Sequence, residues 1–403
     1  MTHAHETKNK VVILFPWGID IVISRDTGAG IRVGLLAEFL HTNGYAVTVV
    51  GGGQLDRQFI KEGIYYQEYR YPSNKILFCI FSSIFLLGKV LRWPALLALL
   101  YYTFYRIDRI FTNKIKSISA SADIIFLEYP FWANLAEGLE KRTILTNHDI
   151  IAHSWTKCGF TQLNKLLYSK LIKYELSAML RVRCTVFVSD VDRLFFDSLG
   201  LKNSLVIPNP AYTSPSVGPE IFKQDSLNVQ TNSIYTALFV GSGWYPNREA
   251  ADIICKVIAP AMQHVSFLIA GECGRWVNEH PGNVKILGVL PSAQLKALYQ
   301  EATFAIIPLK WGSGSSLKAL EAMKYGKVIV STPIGIRGIA FEPGVHGVVC
   351  NDVTDFPSAL NELIADKARC ERLSSSAKLL AVEYDFNNLY SRYLQIFDEL
   401  DQS

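Results

Sequence analysis

The densest run of residues able to do chemistry lies between Pro308 and Gly338, PLKWGSGSSLKALEAMKYGKVIVSTPIGIRG. An apolar run, Phe304–Pro308, reads as a strand. A Gly/Ser loop, Gly312-Ser313-Gly314-Ser315-Ser316, leads from it into a stretch, Ser316–Tyr325, that reads as a helix. Glycines let the backbone approach a ligand closely and present free N–H groups. A helix N-terminus carries about half a positive charge, so a phosphate is favoured there. Lys318, in the first helical turn, can reach the same phosphate. Glu321, three residues later on the same face, can accept both hydroxyls of a ribose. An ordinary loop followed by an exposed Lys–Glu pair is the other reading of the same residues.

Two further candidates sit where strands end in the N-terminal half. Glu128 closes the run Phe126-Leu127-Glu128 ahead of Tyr129-Pro130, and His148-Asp149 follows Thr146-Asn147. In parallel sheets, active-site residues gather at the carboxyl ends of strands. An imidazole there can hold a hydroxyl, and Glu128 can help to bind a second substrate. His41, His153, His264, His280 and His346 have no spacing that suggests a metal. No Asp-x-Asp pair falls where a metal-bridged diphosphate would need one, so no metal is expected.

Residues 11–15, VVILF, read as a buried parallel strand. Asp26-Thr27-Gly28-Ala29-Gly30 is a loop, Ile31 to His41 an amphipathic helix, and residues 45–50 the next strand. That order is a βαβ unit, which implies a parallel sheet. The rhythm continues with strands at 123–128, 143–146, 184–189 and 205–208 and a helix at 163–180. It restarts with strands at 237–240, 266–270, 284–287, 304–308, 328–331 and 348–349. Helices are expected at 248–262, 293–300, 316–325, 355–366, 367–382 and 387–400. The polar stretch 211–234 reads as a linker.

With 403 residues, 49% hydrophobic and 19% charged, the chain can fill two cores. The formal net charge of +4 is too weak to argue for nucleic acid. The charge is unevenly spread: residues 1–215 hold 24 Lys+Arg against 17 Asp+Glu, and the remainder 16 against 19. A basic first half favours anionic partners. The seven cysteines form no C-x-x-C pair and fit a reducing compartment. No secretory signal is visible at the start, MTHAHETKNKVVILFPW.

Residues 76–105 are the most apolar part. Lys89, Arg92 and Pro94 break them into pieces shorter than the ~20 apolar residues of a membrane span. Trp93, Tyr101, Tyr102 and Tyr105 favour membrane interfaces. Ten Lys+Arg stand against four acids between residues 56 and 116. Two readings are open: a buried helix pair, or attachment to an anionic membrane surface.

Residues 237–340 resemble the C-terminal domain of the retaining glycosyltransferases of family 4, which have the GT-B fold. Phe239-Val240-Gly241-Ser242-Gly243-Trp244-Tyr245-Pro246-Asn247 is similar to the family's first strand and loop. Gly312 to Met323, followed by Gly326 to Thr332, is similar to its donor-binding signature. Gly28-Ala29-Gly30-Ile31-Arg32 looks like the acceptor-side loop and helix. The resemblance implies that Gly241, Gly243, Gly314, Ser315, Ser316, Leu317 and Glu321 bind the donor. In it, backbone N–H groups of 315–317 meet the diphosphate, and Glu321 holds the ribose. It implies phosphate-binding roles for Arg248 and Lys318, a catalytic role for His148, and acceptor-side places for Gly28, Gly30, Glu128 and Asp149. Two positions depart from the pattern: Ser313 replaces the first glutamate of a spaced pair, and Ser242 replaces a frequent arginine.

The expected fold is therefore α/β, GT-B: two Rossmann-like, doubly wound domains facing each other across a cleft. Residues 1–215 form the acceptor domain, with the C-terminal helix, about 384–400, packing back on it. Residues 216–383 form the donor domain. The expected activity is retaining transfer from a nucleoside-diphosphate sugar to a hydroxyl of a sugar or lipid-linked acceptor, in bacterial-type cell-surface polysaccharide or glycolipid assembly. No cofactor is expected, and the expected location is cytoplasmic, peripheral at the inner face of the membrane. A sugar-nucleotide epimerase and a non-catalytic sugar-nucleotide-binding protein are the alternatives.

Overall fold

The computed structural model describes residues 9–25, 27–90, 94–156, 161–212 and 234–401. Its contacts divide the chain into two units, Met1–Pro208 with Tyr390–Ser403, and Asn209–Leu389. Most of the proposed linker, residues 213–233, lies outside the described residues.

The first unit holds an eight-stranded sheet. Its strands are β1 (Lys10–Phe15), β2 (Ala46–Gly53), β3 (Arg57–Lys61), β4 (Ile64–Arg70), β5 (Ile124–Glu128), β6 (Thr143–Asn147), β7 (Cys184–Phe187) and β8 (Ser204–Val206). They lie in the order β3-β4-β2-β1-β5-β6-β7-β8. β1 pairs in parallel with both β2 and β5, so the strand order reverses beside it. That reversal opens a crevice at the carboxyl ends of β1 and β5, where ligands of such sheets bind. β1 and β5 carry apolar runs because the sheet buries both of their faces.

The hairpin β3–β4 is a correction to the sequence reading, which placed no strand between residues 51 and 75. Its strands mix charged and apolar residues and are half exposed, so they lack a continuous apolar run. Glu62 and Gly63 both have left-handed backbone, with φ of 52° and 80°, and Lys61 pairs with Ile64. Two left-handed residues form the tight turn that suits a two-residue hairpin.

The helix Gly28–Thr42 begins earlier than expected, with the Thr27 hydroxyl accepting from the Gly30 N–H at 3.1 Å. Gly30 is buried, and a Cβ there would lie 2.1 Å from the Ile21 carbonyl oxygen. Its lack of a side chain lets this helix close on the short helix Asp20–Ser24, a packing role that the sequence did not reveal.

From the same helix, the fully buried Arg32 donates to the Pro208 carbonyl at 2.9 Å and to the Tyr393 hydroxyl at 2.8 Å. The Tyr390 hydroxyl donates back to the Arg32 carbonyl at 3.2 Å. Tyr390 and Tyr393, both fully buried, belong to the C-terminal helix Phe386–Asp401. Tyr393 also meets Phe126 of β5 edge-on at 5.2 Å.

The apolar segment forms two helices, Lys75–Val90 and Pro94–Thr103. Among the described residues, no helix is long and apolar enough to cross a membrane. Arg92 and Trp93, and the side chains of Lys89 and Tyr101, lie outside the described residues. Tyr102 and Tyr105, read from the sequence as interfacial, are buried. Tyr102 packs on Phe131 at 4.8 Å and on Tyr174 at 5.7 Å, filling the core beneath the second helix.

The second unit holds a six-stranded, wholly parallel sheet, β11-β10-β9-β12-β13-β14. Here β9 is Tyr235–Val240, β10 Val265–Ala270, β11 Val284–Gly288, β12 Phe304–Ile307, β13 Val328–Ser331 and β14 Val348–Val349. Its order reverses between β9 and β12. The helix expected at 248–262 instead starts at Tyr245, is regular to Ile253, widens into a π turn over Ile254–Ile258 and ends in a 3-10 turn at Ala259–Ala261. Pro260 has no N–H to continue an α-helical ladder. The six described cysteines are free thiols, and Cys158 lies outside the described residues.

Replacing Arg32 by Met removes two buried hydrogen bonds from a charged donor, each worth about 1.5–3 kcal/mol. A clear fall in the urea midpoint of the first unit is expected, with Arg32→Lys between the two. A wild-type midpoint for Arg32→Met would show that the guanidinium does not hold the C-terminal helix.

Candidate functional site

In the second unit, the loops after β9 and β12 flank the point where strand order reverses. Gly241, just past β9, donates to the Ala270 carbonyl at 3.0 Å. A Cβ at Gly241 would sit 2.9 Å from the Asn247 Cβ and 3.0 Å from the Cys273 Sγ, so glycine makes room for Asn247 under the loop. At Gly243 a Cβ would meet the Glu272 carboxylate at 2.6 Å. The Asn247 amide donates to the Ser242 carbonyl at 3.2 Å and hydroxyl at 3.0 Å. Its oxygen accepts from Lys318 Nζ at 3.0 Å. Asn247 thus ties the first loop to the helix Leu317–Lys324. The sequence reading gave it no role, because an Asn at a helix start normally reads as local turn chemistry.

The loop after β12 is strapped from behind. Gly314 has a left-handed backbone, φ 72°, and so has Gly338, φ 75°, where a Cβ would lie 2.5 Å from that of Ser315. Arg337 donates to the Gly312 carbonyl at 2.6 Å. The Ser316 N–H, expected to meet a phosphate, donates here to the Arg337 carbonyl at 3.0 Å. Its hydroxyl and that of Ser315 are instead the polar groups left over: both are buried without a hydrogen-bond partner. No side chain caps the helix that follows. Buried unpartnered groups cost free energy unless a ligand or water satisfies them.

Lys318 and Glu321 do not form an exposed pair. The half-buried Lys318 points at Asn247, and burial pushes its ammonium down to about 8. Glu321 accepts from the Tyr299 hydroxyl at 3.1 Å, and burial pushes its carboxyl up to about 7. Tyr299 is in turn stacked on Tyr325 at 4.9 Å. Arg248 is turned differently from the sequence expectation. Its Nε donates to the Gly243 carbonyl at 2.5 Å, and its guanidinium lies over the Trp276 ring at 3.3 Å. Of the two expected phosphate cations, Lys318 is the one tied to both loops.

In the first unit, parallel register sets Glu128 beside Thr146 across β5 and β6. The residues that follow β6 therefore fold over Glu128. Its carboxylate meets His148 Nε2 at 2.6 Å and accepts from the Thr146 hydroxyl at 3.0 Å. Both partners of the pair are buried, and the imidazole stacks on Tyr129 at 4.3 Å. Burial lowers the His148 pKa, although the Glu128 carboxylate opposes the shift. Burial favours the neutral ring, and in that form Nε2–H donates to Glu128 and Nδ1 is left as an acceptor. Asp149 is half-buried beside it. Gly28 and Gly30 lie in the first turn of their helix. Among the described residues, no group of three or more His, Cys, Asp or Glu is placed to hold a metal ion.

Residues 235–366 match the family described as Glycosyl transferases group 1. Sucrose-phosphate synthase from Thermosynechococcus elongatus superposes with a TM-score of 0.73 at 14% identity, covering 98% of this chain and 100% of that one. Anabaena HepE in complex with UDP-glucose superposes with a TM-score of 0.62 at 15% identity, covering 97% and 100%. These likenesses show the fold: two Rossmann-like units of the GT-B type. An uncharacterized 44.6 kDa protein in the cps region of Klebsiella pneumoniae is 25% identical over 185 residues, 42% of this chain and 47% of that protein. The match thus spans about half of that relative's length.

The two shifted groups predict a distinctive pH dependence of ligand binding. If the Glu321 carboxylate accepts two ribose hydroxyls, nucleoside affinity should rise as pH passes about 7 and fall below it. Between pH 6 and 8 the change should approach about tenfold, one unit either side of the midpoint. Lys318 is charged below about 8, so a nucleoside diphosphate should additionally lose affinity above that pH. Titration calorimetry should therefore give a rising curve for the nucleoside and a bell for its diphosphate. Parallel curves would separate Lys318 from phosphate.

Proposed function

We propose that this chain, a member of the glycosyl transferases group 1 family through residues 235–366, moves a hexose-type sugar from a nucleoside diphosphate to a hydroxyl acceptor with retention. The observation that carries the reading is the loop Gly312–Ser316, with its two buried, unpartnered hydroxyls, an uncapped helix behind it, Lys318 beside it and Glu321 one turn on. A diphosphate satisfies the first three and a ribose the last. The UDP-glucose bound by HepE supports a sugar nucleotide as donor.

In the proposed reaction, the bond from the sugar's anomeric carbon to the diphosphate oxygen breaks, and a bond from the same carbon to the acceptor oxygen forms on the same face. The acceptor's proton passes to the departing diphosphate. Charge developing on that diphosphate meets Lys318 and the helix N-terminus. Preplaced groups of this kind are worth roughly 3–4 kcal/mol each. Arg248 assists once its guanidinium leaves the Gly243 carbonyl. His148, fixed by Glu128, offers Nδ1 to a hydroxyl of the transferred sugar or acceptor, with Asp149 beside it. The capsule-region relative supports a role in cell-surface polysaccharide or glycolipid assembly.

A lipid-linked acceptor is supported by the surface around the helix Lys75–Val90, for which we propose peripheral attachment to an anionic membrane at the cytoplasmic face. Ile76, Phe78, Ile80, Leu86 and Leu87 are exposed on it, as are Ile107 and Ile110 nearby. Exposed Arg70, Lys75, Arg106 and Arg109 share this part of the surface. Two of the local acids are turned inward: Asp108 is buried against Ser73 and the Phe111 N–H, and Glu68 is buried against Arg57. Lys114 and Lys116 already pair with Asp56 and Glu137.

Incubating the protein with a panel of labelled sugar nucleotides tests the activity. Slow donor hydrolysis, abolished in Lys318→Ala, is expected. His148→Ala should keep donor binding and lose turnover. Release of an epimer would assign an epimerase, and binding without turnover a non-catalytic protein. For the membrane, sedimentation with anionic vesicles at low salt should fall in Arg106→Gln/Arg109→Gln and much less in Lys114→Gln/Lys116→Gln, each exposed cation without an acidic partner being worth up to ~1 kcal/mol. No sedimentation of the wild-type protein would contradict attachment.

A further inference from the structure

His148 and Asp149 stand in a short loop between the end of β6 at Asn147 and the helix Ile151–Thr156. The loop is held on one side by the His148–Glu128 contact at 2.6 Å. Asn147 gives it no side-chain support, since both ends of its amide are buried without a partner. The other hold comes from far along the chain. Glu175, on the helix Thr161–Met179, is fully buried, and its two carboxylate oxygens accept separately from the Ala152 N–H at 2.9 Å and the Ile151 N–H at 3.2 Å. These are the first two N–H groups of the helix that follows the loop, groups that have no partner inside that helix.

Taking the place of His148 in the proposed transfer as given, we infer that Glu175 is a positioning residue, fixing the height of the His148–Asp149 loop through the backbone of Ile151 and Ala152. The placement is costly. Burial opposes the ionised form and pushes the Glu175 carboxyl well above its usual range, the Ala152 and Ile151 N–H groups favour the carboxylate, and Asp149 and Asp192 oppose it. The buried Tyr102 beside it has a hydroxyl without a partner. Helix ends are ordinarily capped by a residue next to them in sequence, such as Ser or Asp. Here a buried carboxylate is brought in over twenty residues away, at the helix that begins three residues after His148. That arrangement sets the loop against the Thr161–Met179 helix as well as against the sheet.

Glutamine has the same shape but offers only one accepting oxygen, so Glu175→Gln leaves one N–H facing an amide N–H₂. Glu175→Asp withdraws both oxygens by one methylene. The direct readout is the imidazole titration of His148 by NMR, its resonance identified by loss in His148→Ala. In both variants the His148 midpoint should move upward toward its ordinary value, as the loop loosens and water reaches the ring. Nucleoside diphosphate affinity should be unchanged. An unmoved His148 titration in folded variants, with only a lower melting temperature, would overturn the inference. So would loss of fold in both, because Glu175 would then hold the unit rather than the loop. This titration needs no sugar nucleotide, so its outcome is separable from that of the donor panel.

Discussion

One full positive charge lies entirely out of water in the first unit, and much of that unit is arranged around it. Arg32 cannot shed its proton, so burial must be offset by hydrogen bonds and by nearby negative charge. The offset comes from three distant parts of the chain. Pro208 supplies a carbonyl at the end of the first unit, Tyr393 supplies a hydroxyl from the C-terminal helix, and Glu128 supplies the nearby carboxylate. The two chain segments that close the unit therefore meet at one guanidinium. Glu128 is also the carboxylate that holds His148, and Arg32 disfavours the charged form of that imidazole. The stability of the unit and the state of its candidate site share a single electrostatic centre.

The second unit solves a related problem with less charge. Its parallel sheet delivers two loops to the point of strand reversal, and a neutral side chain, Asn247, joins them. Lys318 and Glu321 are each held by one uncharged partner, Asn247 and Tyr299, rather than by each other. A desolvated cation and a desolvated acid without an ion-pair partner are poised to gain from a ligand that brings a phosphate to one and hydroxyls to the other. Such groups are characteristic of functional sites, because evolution seldom leaves them unsatisfied for stability alone.

The parallel framework was legible because strands buried on both faces tend to near-continuous apolar runs, as in VVILF at 11–15 or IIFL at 124–127. The hairpin at 57–70 was not, since its faces alternate between core and solvent and its turn uses Glu62-Gly63 rather than a commoner pair. The order of a Gly/Ser loop followed by a helix carrying Lys318 and Glu321 was legible from spacing. Asn247 was not, because its partner lies 71 residues away and is fixed only by the order of β9 and β12. Glu128 and His148 were each visible as strand-end residues, but their contact follows from the β5–β6 register, which no local pattern specifies. Tyr102 and Tyr105 misled because an aromatic at an apolar helix end suits a core and a membrane interface equally well.

In the proposed reaction, the loop Gly312–Ser316 and the helix behind it receive a nucleoside diphosphate. A crystal structure of the protein soaked with one tests this most directly. The account predicts ribose hydroxyls within hydrogen-bond distance of Glu321, phosphate oxygens on the Ser315 and Ser316 hydroxyls, and Lys318 turned from Asn247 to the diphosphate. A nucleotide seated elsewhere, with Ser315 and Ser316 still unpartnered, would contradict it.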